Sequence, residues 1–221
     1  RALSLAKIIA VTGSAGKTSL KNLTKDLLQN FGKTCSSSKS FNNHLGVPIS
    51  LSNLSFEDKF GVFEVGMSRP GEIKNLSRLI QPHIGVITNI GEAHIENFQS
   101  VYGIAKAKSE IIESISEGGT IILNRDDKFF NYLSKKASKY KLKIFTFGHH
   151  KKSDVQIKKI VKKGENSKIF IKINNEIIDL EIKDLNIYNV LASIAVLNVL
   201  KIDINKIKKK MKNFETPDGR G

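Results

Sequence analysis

The chain has 221 residues, 40% of them hydrophobic and 26% charged, enough apolar content to bury one core, or one core with an appended subdomain. No apolar run approaches the roughly 20 residues that span a bilayer, and the start lacks a charged-then-apolar leader, so membrane insertion is set aside and a cytoplasmic location is expected. A single cysteine, Cys35, excludes an internal disulfide and a cysteine-built zinc site, while the formal charge of +15 raises nucleic acid or anionic lipid as partners. Much of the lysine excess lies in 135–168 and 206–212, mixed with Ile, Val and Asn without a nucleic-acid motif, and reads as solvated faces.

The first predicted element is a β-branched strand, Lys7 to Val11, that empties into a glycine turn and then a helix, Lys17 to Asn30. The run Thr12-Gly13-Ser14-Ala15-Gly16-Lys17-Thr18-Ser19 has the composition of a phosphate cradle. Gly13 and Gly16 allow a tight turn that aims backbone N–H groups inward, Lys17 reaches terminal phosphates, and the Thr18 hydroxyl is placed for Mg²⁺. The general pattern G-x-x-x-x-G-K-[ST] wants glycine at 11, where this chain has Val11. Leu20, Leu23, Leu27 and Leu28 form the apolar stripe of the helix.

Further on, Phe41 to Pro48 is a polar loop whose amides, Asn42 and Asn43, suit a hydroxyl or a peptide, with a helix or turn to follow. Strands are predicted at Gly61 to Val65, Ile84 to Thr88, Thr120 to Leu123 and Lys143 to Thr146, and helices at Gly71 to Leu79, Val101 to Ser116 and Lys128 to Lys139. This alternation is the signature of a mostly parallel α/β sheet flanked by helices. Glu64 ends one strand, and open parallel sheets place ligands beyond the carboxyl ends of strands, so it is either a cation ligand or a solvent-facing carboxylate. Asn89 and His94 follow the next strand on the same edge, where His94 is structural or a ligand. Lys108 shares a helical stripe with Ile104, Ile111 and Ile115, whereas Lys106, Ser109, Glu110 and Glu113 fall on other faces. An amine on a core-facing stripe must be paired, snorkel, or be chemically changed.

Val155 to Val161, Lys168 to Ile173 and Glu176 to Ile182, separated by turns at Gly164 and Asn174-Asn175, read as a small antiparallel meander occupying 155–182. Two helices close the pattern, Ile187 to Leu200, apolar almost all round, and Ile204 to Asn213. Asn189 offers an amide for adenine N6 and N7 or for capping its own helix. Both termini read as cut points within a longer protein.

Taken together these segments resemble the central domain of the Mur ligases, ATP-dependent amide ligases that build the bacterial wall peptide. The resemblance implies a P-loop-type fold over 1–221, with an N-terminal UDP-sugar domain and a C-terminal domain lying outside the chain. It implies ATP held by Gly13 to Ser19, Asn189 and Arg220, the last within a Pro217-Asp218-Gly219-Arg220 segment similar to the family's linker. It also implies Mg²⁺ on Thr18, Glu64, His94 and a CO₂-carbamylated Lys108, with Lys17, His94 and Lys108 as catalytic residues and Asn42, Asn43 and Asn89 toward the substrate. Asn42 to Pro48, Pro70-Gly71-Glu72-Ile73 and Asn124 to Asp127 are most similar to the branch joining D-alanyl-D-alanine to UDP-N-acetylmuramoyl-tripeptide. A monomer acting on these small molecules, without nucleic acid, is expected. A folylpolyglutamate synthase-like ligase and a basic nucleic-acid-binding P-loop module are the competing readings.

Overall fold

A nine-stranded sheet is the spine of the computed structural model, which describes residues 4–93, 95–164, 166–183 and 185–214. Six strands run parallel: β1 (Lys7–Thr12), β2 (Thr34–Ser36), β3 (Phe60–Glu64), β4 (Ile84–Ile87), β5 (Thr120–Asn124) and β6 (Lys143–Gly148). A meander of β7 (Val155–Lys163), β8 (Asn166–Ile173) and β9 (Glu176–Lys183) completes the order β2-β3-β1-β4-β5-β6-β7-β8-β9. β3 and β4 are buried along their whole length, as strands covered by helices on both faces must be, and so they are short, unbroken apolar runs in sequence. β8 and β9 instead alternate along much of their length, keeping one face on the core.

The expected fold class is the one observed. The meander is not a separate layer, because β7 joins β6 in parallel through the Phe147–Val155 and Gly148–Gln156 pairs and extends the same sheet.

One face of the sheet carries α1 (Lys17–Leu28) and the later α7 (Ile187–Val199) and α8 (Lys208–Asn213); the other carries α3 (Glu72–Ile80), α5 (Val101–Lys108) and α6 (Phe130–Lys139). Leu20, Leu23, Leu27 and Leu28 pack with Ile9, Val11 and Val62, and each such buried leucine contributes about 1.5–3 kcal/mol relative to exposure. Two short helices, α2 (Gly46–Ser52) and α4 (Ile95–Phe98), fill the remaining connections. The helix expected over 101–116 tightens into 3₁₀ geometry at Ser109–Ser114, and that expected over 204–213 starts as a 3₁₀ turn at Ile204–Ile207.

β1 lies between β3 and β4, so the connections leaving β1 and β3 depart on opposite sides of it. The carboxyl ends of these three strands meet at this switch of direction, where open α/β sheets leave a crevice. Val11 pairs with Glu64 and Thr12 with Ile87, which sets Glu64 level with the start of the glycine turn.

Candidate active site

The turn after β1 is held from β4. Gly13 has φ +152°, and a Cβ there would lie 1.8 Å from Thr88 Oγ1; Gly16 has φ +78°, and a Cβ there would lie 2.8 Å from Asn189 Oδ1. Only glycine meets both the backbone angle and the close approach. Thr88 Oγ1 donates to the Ala15 carbonyl at 2.6 Å, while the Ser14 and Ala15 N–H groups donate to Asn89 Oδ1 at 3.1 and 2.9 Å. Ser14 Oγ donates to the Gly91 carbonyl at 3.1 Å. α1 begins immediately beyond, at Lys17, so the positive end of its dipole faces the crevice.

Two amines converge on one oxygen. Lys17 Nζ and Lys108 Nζ donate to the Gly13 carbonyl at 3.0 and 2.9 Å. Lys108 is 2% exposed, on the stripe of Ile104, Ile111 and Ile115 as the helical spacing predicts, so its amine crosses the core to the end of β1 instead of snorkelling outward. Burial, reinforced by the Lys17 charge, pushes its pKa down to about 7. Ser109, expected on another face, is buried too, because the tightened 3₁₀ geometry turns it inward, with its hydroxyl donating to the Lys106 carbonyl at 2.6 Å.

Thr18 and Glu64 meet as a facing pair. Thr18 Oγ1 donates to Glu64 Oε2 at 2.8 Å, and Asn42 Nδ2 donates to Glu64 Oε1 at 2.7 Å. Glu64 is 1% exposed, so the solvent-facing reading of this carboxylate fails. A hydroxyl and a carboxylate at this spacing offer the oxygen donors that a hard cation such as Mg²⁺ takes. Among the described residues no group of three or more His, Cys, Asp or Glu side chains could hold a metal ion. His94 and Arg220 lie outside the described residues.

A cavity of about 460 Å³ opens beside this constellation, lined by Lys17 and Lys108 together with Asn42, Asn43, His44 and Asn75. Asn43 lines it while its Oδ1 accepts the Leu45 and Gly46 N–H groups at 3.2 and 2.9 Å, starting α2. Asn89, expected toward the substrate, does not line the cavity; its side chain is engaged in holding Ser14 and Ala15. Asn189 does not cap its helix either, since Asn186 Oδ1 accepts the Asn189 N–H at 3.2 Å, and the Asn189 amide rests on Gly16, 7% exposed.

Three supporting residues escaped the sequence reading. Glu110 accepts the Gly71 and Lys74 N–H groups at 2.9 and 3.0 Å, capping α3 and fixing the cavity wall that carries Asn75. Asp127 accepts the Ile90 N–H at 2.7 Å and steadies the loop beside Ser14. Lys21 is buried behind the cavity loop. Each acts on backbone groups distant in sequence, and no local pattern marks such a partner.

The model of the Mur ligase middle domain matches residues 11–197. The chain belongs to the Mur ligase family. As a Mur ligase it is 37% identical to the UDP-N-acetylmuramoyl-tripeptide--D-alanyl-D-alanine ligase of Buchnera aphidicola over 92% of the chain and 45% of that protein. It is 34% identical to the ligase of the same name from Rickettsia prowazekii over 99% of the chain and 49% of that protein. The crystal structure of MurF from Acinetobacter baumannii superposes with a TM-score of 0.91 at 30% identity, over 97% of this chain and 47% of that one. This Mur ligase chain thus spans about half the length of the curated relatives it matches.

Proposed function

We propose that this chain is the ATP-binding central domain of a ligase that joins D-alanyl-D-alanine to UDP-N-acetylmuramoyl-tripeptide. The observation that carries the reading is the meeting of Lys17 and Lys108 on the Gly13 carbonyl, beside the Thr18–Glu64 pair and at the mouth of a cavity. The names of the 34–37% identical relatives support this substrate pair over a folate and glutamate. Flanking UDP-sugar and C-terminal domains, a cytoplasmic location and a monomeric state belong to the same proposal.

In this reading the triphosphate lies along Gly13 to Ser19 and meets the positive end of α1, while the Ser14 and Ala15 N–H groups stay engaged by Asn89. Lys17 swings from the Gly13 carbonyl to the γ-phosphate. The tripeptide carboxylate enters from the cavity and attacks that phosphorus, releasing ADP and leaving an acyl phosphate; the dipeptide amine then displaces phosphate and loses a proton. Asn189, in contact with Gly16, is assigned to the adenine base on this reading, supported by that contact with the loop.

Thr18 and Glu64 would hold Mg²⁺, which supplies charge neutralisation at the transferring phosphoryl group. The site also suits a carbamate on Lys108. An amine whose pKa lies near 7 is substantially neutral at physiological pH, and only the neutral amine adds CO₂, forming an N–C bond and releasing a proton. Thr12 Oγ1 is buried without a hydrogen-bond partner on the strand face of Ile8 and Ala10, which α5 covers, and a carbamate oxygen would satisfy it.

The deciding experiment incubates the full-length protein with ATP, UDP-N-acetylmuramoyl-tripeptide and D-alanyl-D-alanine and follows product by mass. The expected outcome is ATP-dependent pentapeptide, lost in Lys17→Ala. Product only from folate and glutamate, or turnover unchanged in Lys17→Ala, overturns the proposal.

A further inference from the structure

α1 buries a lysine that the reaction does not use. Lys21, one turn beyond Lys17, is 1% exposed, and its Nζ donates to the Ser37 and Lys39 carbonyls at 2.8 and 2.6 Å. Lys39 is held at φ +42°, a left-handed conformation unfavourable for a side-chain-bearing residue. The segment it belongs to is tied at both ends to the tip of β3. Ser37 Oγ accepts the Glu64 N–H at 3.1 Å, and Asn42 engages Gly66 N–H through its carbonyl at 2.8 Å and Glu64 Oε1 through its amide at 2.7 Å.

We infer that Lys21 is a positioning residue of the ligase site: its ammonium draws the Ser37–Lys39 turn against α1 and so fixes Asn42 on Glu64 and the cavity wall of Asn42, Asn43 and His44. The inference rests on the ligase reading above. Stability alone does not account for an ammonium here, because an apolar side chain of similar length would fill the same space without the penalty of desolvating a charge. What an apolar side chain lacks is the ability to pull two carbonyl oxygens inward. The phosphate loop, in contrast, is fixed by Thr88 and Asn89 and does not depend on this turn.

The test is a kinetic double-mutant cycle in the full-length ligase with Lys21→Met, Asn42→Ala and the pair. Pentapeptide formation by the unmodified enzyme is the control that stands or falls with the ligase reading alone. Lys21→Met is expected to raise KM for the UDP-tripeptide by about tenfold or more while KM for ATP stays within about threefold, a split that a general loss of stability would not produce. In the cycle the double variant is expected to be no worse than the poorer single, because both substitutions release the same loop. Effects that multiply, or an unchanged KM for the UDP-tripeptide, overturn the inference. Should Lys21→Met fail to fold, Lys21→Gln, which removes the charge and shortens the reach to the Ser37 and Lys39 carbonyls, is taken through the same cycle against Asn42→Ala with the same two overturning results.

Discussion

Lys108 is buried where its amine has lost water, and the Lys17 ammonium donating to the same Gly13 carbonyl adds to the cost, so its pKa falls to about 7. In the unfolded chain a lysine titrates near 10.5, so between about 7 and 10.5 the unfolded state binds more protons through this residue. Its contribution to stability therefore rises with pH across that window and is most unfavourable below it. Lys108→Met is expected to flatten the pH dependence of the urea midpoint over the same interval; an unaltered slope would contradict the burial argument. If the full-length protein ligates as proposed, Lys108→Ala should lose ligation and added short carboxylates should restore part of it by standing in for the proposed carbamate, so wild-type rates in the variant would remove that role. Lys108 was legible in the sequence because a helix repeats with a fixed period and an amine broke an apolar stripe. Lys21 was not, since its acceptors are backbone carbonyls on a loop more than a dozen residues away.

At the scale of elements, the loop between β1 and α1 works by exclusion of side chains. Gly16→Ala would set a methyl group 2.8 Å from the Asn189 amide at a left-handed backbone angle. The expected cost is about 1–2 kcal/mol of stability, together with weaker ADP binding by calorimetry; a variant equal to wild type in both would mean that Asn189 does not lean on the loop. Strand positions were readable because β1, β3, β4 and β5 are apolar runs too short to be helices. β2 was not, for its three residues carry no period at all. The break after Lys108 was hidden for another reason: a 3₁₀ segment keeps much the same apolar spacing as the helix it continues, and only the packing of Ser109 separates them.

Taken whole, the described residues form one sheet, with the candidate site at the carboxyl ends of its parallel strands and the meander as an extension. The parallel half was legible as a class because helices and strands alternate; the seam at Phe147 and Gly148, which makes the meander part of that sheet, depends on a pairing that sequence does not encode locally. Under the proposed function the ATP loop lies within the described residues, and flanking domains would complete the substrate site. The 221-residue chain is accordingly expected to bind Mg·ADP measurably by calorimetry and to form no pentapeptide, and product from it alone would contradict that division of labour.

Helix α7 has no wet side: Asn189 through Leu197 are all buried, against α1 and under β5, β6 and β7. A chain emerging from the ribosome therefore carries an oily floor without its lid until residue 199 has been made, and expression fragments ending near the seam at 148 should precipitate, even though Gly13, Gly16, Lys17, Glu64 and Lys108 are already present in them.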